Sequence, residues 1–378
     1  MAVLQVENYE LAKFVNDNSN FEVVHNFMAE LMTVIFNAPP NEHKEKYVHS
    51  FLDQLFADVD FKKSFTKKMI LLHCEVLLPE NLLQLHSWFI KQCCNIENIV
   101  LISILNIGVR DWYSKYINLI GTPGLTIIEA PWLYVTPWNR IQQTIPPLDK
   151  TSISKKLKYY FNFWGGTYPT LERDVLAAVW SNTPNGFVDY GQYGSTQQEL
   201  DDYLEQLTYF GNRELVDQLL NIKQHTEKFT GSASTDLIGY YNCGIQYEYD
   251  SKSALIPIRE TSNNVVYSTI TEKTIRAFIH MQIPLPISGV GTVDALKQLG
   301  FKFCDIVDYD SFQYEKIFLK RVGLIKDEIL RIQQTYTLKQ LEEYILDHKE
   351  IFYDNYNLIQ QGTLAEQSAK VVIAELKK

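Results

Sequence analysis

The stretch ALIPIRETSNNVVYSTITEKTIRAFIHMQIPLPISGVGTVDALKQLGF, residues 254–301, decides how the rest of the chain is read. Its start, Ala254-Leu-Ile-Pro-Ile258, is an apolar run short enough for a buried strand, and Arg259-Glu260-Thr261 leads from it into a polar Ser262-Asn263-Asn264 loop. Thr271 is a good helix N-cap, and Ile275, Phe278 and Ile279 behind it repeat at helical spacing. Residues 282–288 read as a second strand, Gly289 and Gly291 mark a tight turn, and Thr292 caps a helix that stops at Gly300. Strand, loop, helix, strand, glycine turn, helix is the alternation of a parallel α/β sheet.

In such a sheet, strand ends and helix N-termini collect at one edge, where nucleotides bind. A helix starting at Thr271 offers free N–H groups and a positive dipole end, and Lys273 and Arg276 add full charges suited to a diphosphate. Glu260 at a strand end, or Glu272 in the first turn, is placed to accept from ribose hydroxyls. The plainer alternative makes Glu272 a first-turn acid and Lys273 and Arg276 a solvated face.

A second stretch, Asn162-Phe-Trp-Gly-Gly-Thr-Tyr-Pro-Thr-Leu-Glu-Arg173, has the same form: a strand opens through Gly165-Gly166 into a helix near Pro169. Arg173 is suited to clamp a phosphate through two N–H groups. No Gly-Lys-Ser/Thr follows, so this is not a P-loop, and a plain turn with a solvated Arg173 is the competing reading.

Working outward, residues 68–74, 98–105 and 125–130 are apolar runs expected as strands buried on both faces, with helices over 79–94 and 110–119 between them. That is βαβαβ, a parallel sheet with right-handed crossovers. Helices are expected over 21–37 and 46–56, strands over 156–163 and 186–190, and helices over 169–180, 196–209, 212–222, 326–333, 338–348 and 364–378. The proline-bearing segment 136–151 is the natural interdomain linker, with the break between the domains at 146–150.

The chain has 378 residues, room for two domains, and is 46% hydrophobic and 21% charged, ordinary for a globular protein. A net charge of −10 gives no overall basic field toward nucleic acid or anionic lipid, although a local groove can still be basic. Five cysteines without a CxxC pair point to free thiols in a reducing, cytoplasmic setting, and neither a signal peptide nor a membrane span is read.

Glu260-Thr261, Ile270-Thr271-Glu272-Lys273-Thr274, Pro284, Gly289, Gly291 and Leu299-Gly300-Phe301 together resemble a signature in glycosyltransferases encoded by tailed phages. The Thr-Glu-Lys segment is also similar to one in the donor half of fucosyltransferase-type enzymes of the two-domain GT-B fold. The resemblance extends more weakly over residues 156–329 and departs at His280-Met-Gln-Ile-Pro284, where such families carry a more glycine-rich step. It implies two Rossmann-like domains facing across a cleft, with a helical C-terminus. On this reading residues 1–145 form the acceptor side, 151–350 the nucleotide-sugar side, and 351–378 a helix crossing back to the first domain.

The activity implied is transfer of a hexosyl or pentosyl group from a UDP- or GDP-linked sugar to an acceptor hydroxyl. Asn162, Arg173, Glu260, Thr271, Glu272, Lys273, Gly289, Gly291 and Thr292 would face the donor. The phage resemblance makes a hydroxymethylated base in double-stranded phage DNA, flipped into the site, an acceptor candidate beside a glycan or a protein. A carboxylate or His of the first domain would take the acceptor proton; His73, Glu75, Asp111 and Glu129 lie at or near strand ends, with Glu75 and then Asp111 preferred. Asp308-Tyr-Asp310 has the spacing for a metal, but reads as the acidic tail of the signature, so no cofactor and no metal is expected. The alternative function is a non-catalytic phage protein that binds a host partner or signalling nucleotide on the same scaffold.

Overall fold

A computed structural model describes residues 9–27, 44–73, 79–104, 106–131, 156–164, 179–189, 252–258, 268–270, 280–287, 289–360 and 363–378, together with Leu176, Thr274, Ala277 and Phe278. The chain divides into two units. Unit 1 holds Met1–Trp138, Val265–Thr271 and Ile359–Lys378; unit 2 holds Asn139–Asn264 and Glu272–Leu358.

Unit 1 is built on a four-stranded parallel sheet in the order β1-β2-β3-β5: β1 (Phe21–Phe27), β2 (Lys68–His73), β3 (Ile99–Ser103) and β5 (Thr126–Glu129). Alternate residues of these strands feed two cores. Met69, Leu71, Ile99, Leu101 and Ile127 pack against α2 (Lys44–Leu55), α3 (Pro79–Lys91) and α4 (Val109–Ile120). Ile70, Leu72, Val100, Ile102 and Ile128 pack on the other face against α1 (Tyr9–Asn16) and α9 (Thr363–Leu376). This is why β2 and β3 are apolar at successive positions rather than alternating. Each such Leu or Ile contributes about 1.5–3 kcal/mol by leaving water. Helix α9 is seated by Ala369, Val372 and Leu376, by the Ser368 hydroxyl donating to the Pro131 carbonyl, and by Lys68 Nζ donating to the Leu376 carbonyl at 3.4 Å.

Unit 2 is built on a second parallel sheet, in the order β10-β8-β6-β7: β6 (Tyr159–Trp164), β7 (Gly186–Asp189), β8 (Ser253–Ile258) and β10 (Ile283–Pro286). Phe161, Phe163, Leu255, Ile283 and Leu285 share a core with Trp180 and with helices α6 (Phe318–Thr335), α7 (Leu338–Asp347) and α8 (Lys349–Gln360). Ile256 and Ile258 pack with Ala277. The short helix α5 (Thr292–Gln298) follows β10.

Two parallel sheets flanked by helices, with a helical C-terminus, are the α/β class read from the sequence. One expected element is overturned: residues 21–27 are strand β1, not the start of a helix. Val24 and Phe27 have helical spacing, but adjacent β-branched Val23 and Val24 between aromatic ends favour an extended chain, and β2 supplies a parallel partner. The remainder of that expected helix, the linker at 146–150 and the helices expected over 196–209 and 212–222 lie outside the described residues.

Candidate functional site

The path of the chain through unit 2 defines an edge. From β6 it moves outward to β7, then returns to the opposite side of β6 as β8, and continues outward to β10. Direction therefore reverses between β6 and β8, and in open parallel sheets ligands bind beyond the carboxyl ends of the strands at such a reversal. Unit 1 has no equivalent among the described residues, because β1, β2, β3 and β5 follow one another in a single direction. Strands β6 and β8 end at Trp164 and Ile258. Gly165-Gly166 and Arg259-Glu260 follow these ends in sequence, so both stretches singled out above continue from the two sides of the reversal. Glu75, Arg173, Glu260, Thr271, Glu272 and Lys273 lie outside the described residues.

Asn162 is described and is not at that edge's surface. It lies within β6, opposite Phe187 of β7, with no exposed area. Its Oδ1 accepts from Gln282 Nε2 at 2.6 Å, and the same amide nitrogen lies 3.5 Å from the Ser253 carbonyl. Gln282 is equally buried and stands just before β10, so the pair ties β6 to the entry of β10.

Gly289, Gly291 and Thr292 form the exit from β10. The Ile287 N–H extends the ladder to the Ile258 carbonyl at 2.7 Å. Thr292 was expected to cap the following helix, but Gly291 holds the cap position at φ +75°, and Thr292 is the first helical residue, its hydroxyl donating to the Gly289 carbonyl at 2.6 Å. A left-handed cap residue is why the turn uses glycine.

The segment 308–321 braces this exit. The Gly291 N–H donates to the Gln313 carbonyl at 3.1 Å, Tyr309 Oη donates to the Pro284 carbonyl at 3.1 Å, and Tyr314 Oη donates to Asp294 Oδ2 at 2.5 Å. Arg321 of α6 is 3% exposed and donates through Nη1 to the Glu315 carbonyl at 2.8 Å, with Nη2 3.5 Å from the Ile287 carbonyl. Its Nε is buried with no hydrogen-bond partner among the described residues, and burial lowers its proton affinity while Glu315 opposes the shift. Sequence reading missed Arg321, since in Phe318-Leu-Lys-Arg-Val nothing separates it from a solvated cation. In the Asp308-Tyr-Asp310 stretch, Asp310 Oδ1 accepts from Gln313 Nε2 at 2.7 Å, while Asp308 joins the brace through its backbone, its N–H donating to Glu328 Oε1 at 2.8 Å.

In unit 1 the carboxyl end of β3 leads to β4 (Asn106–Ile107), which pairs antiparallel with β9 (Ser268–Thr269). Ser103, Asn106 and Ser268 are buried there, and Ser103 Oγ donates to Asn106 Oδ1 at 3.0 Å. Glu129, one of the four base candidates, is committed to structure: its Oε1 accepts from the Arg110 N–H at 2.7 Å, supplying α4 with the cap that Gly108 has no side chain to give. Asp111 is exposed in the first turn of α4, where a carboxylate suits the helix dipole. His73 ends β2.

No protein-family model matches the chain, and no curated protein sequence is significantly similar to it. Among solved structures the pneumococcal O-GlcNAc transferase GtfA, in complex with UDP and GlcNAc, is similar at 11% identity and a TM-score of 0.42. The match covers 88% of this chain and 60% of that one, so this chain spans less than two thirds of that protein, and no residue role is carried across from it.

Proposed function

We propose that this chain is a glycosyltransferase that takes its sugar from a nucleotide-linked donor held at the carboxyl edge of the unit 2 sheet. One observation carries the reading. The β6–β8 reversal is where a doubly wound sheet binds nucleotides, and the two stretches with anion-binding residue types, 162–173 and 254–273, are the ones that continue from its two strands. In this reading Lys273, Arg173 and backbone N–H groups offset the charge of the departing nucleoside diphosphate, Glu260 or Glu272 takes the ribose hydroxyls, and Glu75 removes the acceptor proton. Gly289, Gly291 and Thr292 shape the neighbouring turn.

The phage resemblance points to a hydroxymethylated base in phage DNA as acceptor, with a glycan or protein hydroxyl as the other classes. The test is incubation of the full chain with a panel of UDP- and GDP-sugars, following release of nucleoside diphosphate. Slow donor hydrolysis, accelerated by one acceptor class, is the expected result.

A second reading, a nucleotide-binding protein without transferase activity, is favoured by one observation: Glu129, the carboxylate at the end of β5, is spent on capping α4. Tight binding of UDP or GDP by calorimetry with no release from any donor would establish that reading instead.

A further inference from the structure

Helix α3 carries a histidine whose surroundings have no part in the reading above. His86 is 4% exposed, its Nδ1 is 2.6 Å from Tyr113 Oη of α4, and its Nε2 is 3.4 Å from Thr122 Oγ1. The Leu125 N–H, at the entry to β5, donates to the same Tyr113 oxygen at 3.0 Å. We assign the Tyr113 hydroxyl hydrogen to His86 Nδ1, the acceptor within reach among the described residues, which puts the imidazole proton on Nε2 toward Thr122.

The groups facing the ring are Tyr113 and Tyr116 from α4, the latter edge-on at 6.4 Å between centroids, and Thr122 from the 121–125 segment. Among the described residues neither a carboxylate nor a cation contributes to its ionisation, and burial is the cause that acts on it. The segment lies tight on α4, since a Cβ at Gly124 would come within 2.9 Å of Ile117 and 3.3 Å of Tyr113.

We propose that the Leu125–Tyr113–His86–Thr122 chain is an acid-sensitive latch, which holds the segment entering β5 against α3 and α4 while His86 is neutral and releases it when Nδ1 gains a proton. A proton on Nδ1 turns the acceptor into a donor. The Tyr113 oxygen would then face two donors while its own hydrogen lost its partner, and a charge would be buried with no counter-ion among the described residues. Burial lowers the proton affinity of His86 below the usual imidazole range. The opened segment therefore binds the proton first as pH falls, and closure weakens from about pH 6.5 downward, by about tenfold for each pH unit until the closed form is itself protonated.

The test is amide exchange of Leu125 in the full chain labelled with 15N-leucine, expressed as protection relative to intrinsic exchange from pH 7.5 to 5. Protection is expected to fall about tenfold per unit below pH 6.5, and His86→Gln, which keeps a donor toward Thr122 but does not titrate, should flatten the profile. A wild-type profile already flat, or an unchanged step in His86→Gln, overturns the latch. Should His86→Gln not fold, the 15N shifts of the wild-type ring decide it, because a protonated Nδ1 at pH 7.5 is incompatible with the proposal.

Discussion

Gln282 Nε2 donates to Asn162 Oδ1 at 2.6 Å between two residues with no exposed area, one just before β10 and the other inside β6. A buried amide that loses its acceptor costs about 1–3 kcal/mol. Asn162→Ala is therefore expected to lower the urea midpoint, and Asn162→Asp to lower it further by burying a charge. Nucleotide affinity of the folded Asn162→Ala protein should stay close to wild type. Loss of UDP binding at an unchanged midpoint would return Asn162 to the ligand.

Gly291 and Gly186 make opposite demands of a methyl group. At Gly291 an added Cβ meets nothing within 4 Å, so the cost of alanine is that of the left-handed backbone at φ +75°, about 1–2 kcal/mol. At Gly186, opposite Phe161 in the β6–β7 ladder, an added Cβ would fall inside the van der Waals envelope of the Phe161 ring, which is itself fully buried. The ring has no room to turn in a close-packed core. Thermal melts should show a modest shift for Gly291→Ala and a much larger one, or no folded protein, for Gly186→Ala.

How legible each part was follows from where its stabilisation comes from. Strands β2, β3, β5 and β8 could be read because burial on both faces writes itself as an unbroken apolar run. Strand β1 could not, because its seven residues carry both periodicities and the choice is made by β2, 46 residues later at its closest pairing, Phe27 with His73. The two-residue strands β4 and β9 have no periodicity at all, and their pairing joins positions more than 150 residues apart. At the site, the turn glycines were visible from residue type alone. The roles of Gln282, Gln313 and Arg321 were not, since each depends on burial that no local pattern encodes.

The three described cysteines should separate cleanly by reactivity. Cys93 is exposed just after α3, whereas burial pushes the Cys94 thiol up to about 11 and the Cys304 thiol up to about 12. The thiolate is the nucleophile, so at pH 8 Cys93 should take iodoacetamide first, with Cys94 and Cys304 following only as the fold opens. Peptide mass spectrometry over a time course reads this directly, and early labelling of Cys304 would contradict its placement in the unit 2 core.

Five charged residues, Glu129, Asp111, Glu75, Glu272 and Lys273, can be ranked by single substitutions. Glu129→Ala removes the acceptor for the Arg110 N–H and should cost about 1 kcal/mol of stability, as loss of a helix cap does. Asp111→Asn, at an exposed first-turn position, should leave turnover within a few-fold of wild type. Glu75→Gln, if Glu75 takes the acceptor proton, should abolish transfer while leaving nucleotide affinity unchanged. Glu272→Ala and Lys273→Ala, if these residues hold the donor as proposed, should lose nucleotide affinity together with transfer at an unchanged melting point. Measuring donor affinity by calorimetry beside product release separates the two patterns. Undiminished affinity in both Glu272→Ala and Lys273→Ala would remove the donor from this segment, whatever the fate of Glu75.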